Sequence, residues 1–120
     1  LNLSSDNNTA YISDRSNGLV LIDVSNTAAP ALLGTYNTAN AYAVILSSDE
    51  NTAYVSDRAS GLVLIDISNP VAPALLGTYD SDGDTYEAAL SSDGNTAYIA
   101  DSTNGLLLIN VEDSSNPSRK

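Results

Sequence analysis

Apolar residues along the chain fall in short alternating or continuous stretches separated by Ser, Asn, Asp, Gly and Pro. That pattern predicts strands bounded by turns, and no segment carries a helical-period apolar stripe over about ten residues. In the middle of the chain four strands are expected, at Ala41 to Leu46, Thr52 to Ser56, Leu62 to Ile67 and Ala74 to Tyr79. Thr, Val, Ile and Tyr, which suit a pleated and half-buried surface, fill them. The third of these carries LVLID and is apolar on both faces, as in a sheet sandwiched between two others.

The same four-strand pattern recurs. LSSDNNTAYISDRSNGLVLIDVSNTAAPALLGTY from Leu3 returns at Leu46 as LSSDENTAYVSDRASGLVLIDISNPVAPALLGTY and at Leu90 as LSSDGNTAYIADSTNGLLLINV. Gly18 and Gly61 are 43 residues apart, and Gly61 and Gly105 are 44 apart. A period of about 40–45 residues with four strands per unit is that of a β-propeller blade. The expected fold is therefore all-β: about three consecutive blades of four antiparallel strands, in a single array divided near 1–40, 41–84 and 85–120. The WD-repeat variety is excluded, because its signature needs His and Trp and the chain has neither.

LVLID at Leu19 to Asp23 and Leu62 to Asp66 is preceded by Asn-Gly or Ser-Gly and followed by VSN or ISNP. With TAYVSD before the loop and PALLGTY after the strand, these residues resemble the LVIVD-repeat family across all three units. The resemblance implies a propeller of a kind found mostly in secreted or surface-attached prokaryotic proteins, without assigned catalysis. In the third unit LLLINVEDSSNP reads as carrying two extra residues.

By this register the first blade opens on an incomplete first strand, Leu1 to Leu3, and the last stops at Lys120 before its fourth strand. With Leu1 in place of an initiator Met, the chain reads as a processed form or as part of something longer. Propellers close with roughly 4–8 blades, and an open stack leaves apolar faces and strand edges bare. The expected partners are other copies of the chain, in a ring or filament, or the remaining blades of a longer chain, joined through strand edges.

Composition narrows the chemistry. The absence of Cys, His, Met, Trp and Phe excludes Ser-His-Asp and Cys-His triads, thiol redox centres and imidazole or thiolate zinc sites. Net charge is −11, and the bases are Arg15, Arg58, Arg119 and Lys120 only. Nucleic acid is thereby disfavoured as a partner, and no apolar run approaches a membrane span.

Asp14, Asp57 and Asp101 recur at the end of the second strand, and Gly18, Gly61 and Gly105 open the third. Both sets read as turn formers, the aspartates accepting backbone N–H groups and the glycines supplying a positive φ; an acidic ring on one face is the functional alternative. Asp23 and Asp66 become Asn110 in the third unit, which suits a turn better than a catalyst.

The segment that breaks the repeat is DSDGDTYEAA, one residue longer than NTANAYAVI in the preceding unit. Asp80, Asp82, Asp84 and Glu87 offer carboxylate oxygens around a Gly, the donor type that Ca²⁺ takes, although the spacing departs from an EF-hand. A solvated acidic turn is the plainer reading and a calcium loop the alternative. Tyr42 and Tyr86 sit beside this loop, and rings next to carboxylates suit a sugar or protein ligand on the loop face. The other five tyrosines recur on strands and are expected in the packing.

Two readings follow. One is a non-catalytic extracellular or cell-surface module completed by further blades. The other is a calcium- or carboxylate-dependent protein that binds or cleaves a saccharide. The near absence of Lys and the abundance of Asn, Ser, Thr and Asp favour a location outside the cell.

Overall fold

The structure, a computed structural model, describes all 120 residues. It contains twelve strands and no helix, hence none that is long and apolar enough to cross a membrane. The strands form three four-stranded antiparallel sheets in chain order. Blade 1 holds β1 (Asn2–Leu3), β2 (Thr9–Asp14), β3 (Gly18–Asp23) and β4 (Ala31–Tyr36). Blade 2 holds β5 (Ala43–Leu46), β6 (Thr52–Asp57), β7 (Gly61–Asp66) and β8 (Ala74–Tyr79). Blade 3 holds β9 (Thr85–Leu90), β10 (Thr96–Asp101), β11 (Gly105–Asn110) and β12 (Ser118–Arg119). The propeller-blade expectation is met in each unit.

Apart from one-residue shifts at the ends of β6 and β7, three points differ from expectation. Ala41 lies outside β5 because its N–H and C=O exchange hydrogen bonds with Arg15, tying the entrance of blade 2 to blade 1. The last fourth strand is not missing: Ser118 and Arg119 pair with Asn110 and Ile109. The third unit carries no extra residues either. Ser118 lies opposite Asn110 as Ala74 lies opposite Asp66, eight residues on in each case. Pro117 thus corresponds to Pro73, and the Ser-Asn-Pro triplet of the third unit stands three residues out of phase with that of the second.

Strand alternation explains the packing. In β7, Val63 and Ile65 point into the core between blades 1 and 2, while Leu62 and Leu64 point into the core between blades 2 and 3. That is why LVLID is apolar throughout. Each core has the same asymmetry. The preceding blade supplies a tyrosine and two leucines, Tyr11, Leu19 and Leu21 or Tyr54, Leu62 and Leu64. The following blade supplies alanines and branched aliphatics, such as Ala53, Val55, Val63 and Ile65 or Ala97, Ile99, Leu107 and Ile109.

The first strands β1, β5 and β9 meet across blades, which places them on the inside of the array. On the outside, a Cβ added at Gly77 of β8 would collide with the Ser114 carbonyl and lie 3.0 Å from Pro117 Cδ. Gly34 of β4 stands in the same relation to Pro70 and Pro73. The loops before β8 and β12 therefore lap over the preceding blade, and only glycine admits them that closely.

Candidate functional site

The loops from second to third strand and from fourth to first strand share one end of the array, and the unusual chemistry gathers there. The first two second-to-third loops are tight turns, closed by Asn17 N–H on the Asp14 carbonyl and by Ser60 N–H on the Asp57 carbonyl, while in the third the Asn104 N–H goes to the Asp101 carboxylate. Gly18, Gly61 and Gly105 all have positive φ, at 76°, 82° and 75°. Gly18 and Gly61 also lie against the carbonyls of Tyr36 and Tyr79, leaving no room for a Cβ.

The three recurrent aspartates share a slot and not a set of partners. Asp14 is exposed and accepts the side-chain amide of Asn17. Asp57 is buried and accepts the backbone N–H of Asn40, in the loop that leads into its own blade. Asp101 is buried, accepts the N–H groups of Thr103 and Asn104, and receives the Ser81 hydroxyl. These differences set the acidities. Burial pushes the Asp57 carboxyl above its ordinary range, against the Asn40 N–H, and its Oδ2 has no hydrogen-bond partner in the protein. Burial also pushes on Asp101, but the Ser81, Asn104 and Thr103 donors outweigh it and leave the carboxyl below the ordinary range.

The acidic segment does not gather round one point. Asp80, Asp82 and Asp84 line an open depression of about 500 Å³ together with Ser102 and Thr103. Asp80 Oδ1 accepts the Asp82 N–H, as Asn37 accepts the Ala39 N–H in the preceding unit, so an amide serves there as well as a carboxylate. Asp84 Oδ2 is held by Arg58 Nε at 3.0 Å and by the Tyr86 hydroxyl at 3.3 Å. Glu87 lies on β9, opposite Ala100, and is exposed. No three of these carboxylates converge into a group able to hold a metal ion.

A cationic and aromatic ladder crosses the same end. The Arg15 guanidinium lies 4.7 Å from the Tyr42 ring centre and that of Arg58 lies 5.8 Å from it. Tyr42 and Tyr86 are 5.2 Å apart, centre to centre. The tyrosines were legible as neighbours of the loop. Arg15 and Arg58 were not, because their meeting depends on how adjacent blades stack.

The LVIVD repeat profile matches residues 2–38, 41–81 and 82–120, nearly the whole chain in three consecutive units. The chain belongs to the LVIVD repeat family. LVIVD units here superpose on solved propellers with little sequence in common. The periplasmic gluconolactonase of Pseudomonas aeruginosa matches over 99% of this chain and 37% of its own, with a TM-score of 0.83 and 20% identity. A putative 6-phosphogluconolactonase from Bacteroides fragilis matches over 98% of this chain and 36% of its own, with a TM-score of 0.83 and 16% identity. At such identities the likeness concerns the fold alone. The chain spans little more than a third of the length of either structure. A search of curated proteins finds no match.

Sequence reasoning also missed the serines of the LSSD turns. Ser4, Ser47 and Ser91 each donate to the aspartate two residues on, at 2.6 Å, and accept the N–H that opens the second strand. The exact recurrence of LSSD in all three units was the signal.

Proposed function

We propose that this LVIVD chain is a non-catalytic module acting outside the cytoplasm, whose blades combine with further blades and present the loop end to a glycan or protein ligand. The observation that carries this reading is the use made of the polar groups at the loop end. Asp57, Asp101 and Asp84 are each engaged in holding a loop or a neighbouring blade. A group committed to the fold in this way is a poor acid or base, since it must be free to reach substrate. The periplasmic setting of one fold neighbour agrees with a location beyond the inner membrane.

The second reading, a carboxylate-based enzyme acting on a sugar or its lactone, draws on the two lactonase fold neighbours and on exposed Glu87 and Tyr86. Incubation with glucono-δ-lactone and with 6-phosphogluconolactone decides between them. The first reading expects hydrolysis at the buffer rate. A rate above buffer that falls on Glu87→Gln supports the second.

A further inference from the structure

We infer that the cationic and aromatic ladder at the loop end is a binding site for uronates, sugars that carry a carboxylate. The inference rests on the reading of this end as the ligand face of a non-catalytic module, and it names the ligand class.

Two of the four bases in a chain of net charge −11 meet at one ring, that of Tyr42, with the Arg15 guanidinium 4.7 Å and the Arg58 guanidinium 5.8 Å from its centre. Like charges gain nothing from such company, and 15 acids stand elsewhere in the chain to pair with them. The one ion pair joins Arg58 Nε to Asp84, while Arg15 is exposed and forms none. The ladder thus keeps a free guanidinium and a net positive charge.

The fold does not call for these arginines. The equivalent slot of the third unit holds Ser102, and β10, β11 and their turn form there all the same. Where arginine does occupy the slot, its backbone stands in the left-handed region that long side chains seldom enter, with φ of 38° at Arg15 and 34° at Arg58. Hydrogen bonds hold both there. Arg15 N–H and C=O pair with Ala41, and the Arg58 carbonyl accepts the Thr85 N–H, so each arginine is clamped to the entrance of the next blade. Clamped backbones and tyrosine rings together set the guanidinium groups in place before a ligand arrives, which lowers the entropy lost on binding.

Charge selects the anion. A guanidinium presents its N–H groups as a planar fork that matches a carboxylate. A phosphate monoester carries roughly −1.5 to −2 and would meet Asp84 beside Arg58 and, past it, Asp80 and Asp82 in the depression of about 500 Å³. With so small a positive excess the ladder accommodates a singly charged carboxylate better. The depression then selects what carries it. Asp80, Asp82 and Ser102 can accept hydrogen bonds from hydroxyl groups, and Tyr86, 41% exposed, offers ring surface to a sugar. An acidic peptide matches the arginines and brings no row of hydroxyls for the depression.

Isothermal titration calorimetry on the 120-residue chain at low ionic strength tests this. The probes are trimers of galacturonate, glucuronate and mannuronate, with their methyl esters as neutral controls and triglutamate as an acidic peptide. A uronate trimer is expected to bind, and its methyl ester to bind at least about tenfold more weakly. Arg15→Gln and Arg58→Gln should each weaken the uronate about tenfold, the worth of one charge-assisted hydrogen bond. Asp84→Asn removes a competing carboxylate beside Arg58 and should tighten binding, which a misfolded variant would not do. Circular dichroism checks each variant for retained strands. Should Arg15→Gln lose them, Arg15→Lys takes its place and should also bind more weakly, because the charge remains and the fork is gone. No binding of any uronate trimer at millimolar concentration, an affinity untouched by the arginine substitutions, or triglutamate bound as tightly would each overturn the inference. A methyl ester bound as tightly as its acid would overturn it too, and leave the glycan-binding reading standing. Lactone hydrolysis would instead overturn the non-catalytic reading and leave the arginine site intact.

Discussion

Asp57 reaches back seventeen residues to accept the Asn40 N–H at 2.6 Å, so a buried carboxylate of blade 2 holds the strap that enters the same blade from blade 1. Its burial raises its pKa above the ordinary 3.8. A carboxyl raised in the folded chain binds its proton more tightly there than in the unfolded chain. Its contribution to stability is complete below the unfolded value and is lost as pH rises through the folded one. Asp57→Asn keeps an oxygen for Asn40 and removes the buried charge. The variant should melt above the wild type at neutral pH, with the gap closing as pH falls to about 4. Melting curves across that range check it, and a gap that widens toward acid would contradict the assignment.

Asp101 is expected to behave in the opposite sense. Its carboxyl is lowered, so its contribution is present above the unfolded value and lost as pH falls through the folded one. Asp101→Ala strands the Ser81 hydroxyl and two loop N–H groups, at a cost of about 1–3 kcal/mol at neutral pH. Urea titration at neutral and acid pH should show that cost shrinking toward acid.

Gly61 and Gly105 share a positive φ and differ in their surroundings. A Cβ at Gly61 runs into the Tyr79 carbonyl, whereas at Gly105 nothing lies within 4 Å. Gly105→Ala should cost about 1–2 kcal/mol, the ordinary penalty of that backbone region. Gly61→Ala should cost more, and chemical denaturation of the two variants side by side measures the difference.

Leu64 and Leu108 offer the same comparison in the cores. Leu64→Ala deletes a fully buried side chain and should cost about 2–5 kcal/mol. Leu108→Ala, measured at a concentration where the chain is monomeric, should cost well under that, since its slot is open.

Arg58 and Asp84 pair at the rim, with side chains 42% and 31% exposed. Asp84→Asn should lower the melting temperature slightly at low ionic strength. At about 1 M salt, where screening acts within about 3 Å, the difference should vanish.

Much of the fold was legible because repetition turned one chain into three readings of the same unit. Gly18, Gly61 and Gly105 fixed the period, and LVLID, apolar on both faces, announced a sheet between sheets. The end of the third unit misled because Ser-Asn-Pro occurs there three residues out of phase. The pairing of Ser118 with Asn110, and the glycine under Pro117, restore the phase, and neither can be seen without backbone partners. At the loop end, residue types were legible and their pairings were not. Asp80 to Glu87 read as a solvated acidic turn or, alternatively, a calcium loop; the pairings themselves, Asp84 with an arginine 26 residues earlier and Asp80 with the N–H of its own turn, were not visible. Pairings of that length depend on how blades stack, which local spacing does not encode.

The two cores share no residue, and each is built only from adjacent units. Pulled from its C-terminus, the chain should therefore surrender blade 3 with the core between blades 1 and 2 still intact, yielding in successive steps of one repeat each. Mechanical strength in such an array is set by its weakest junction and not by its length.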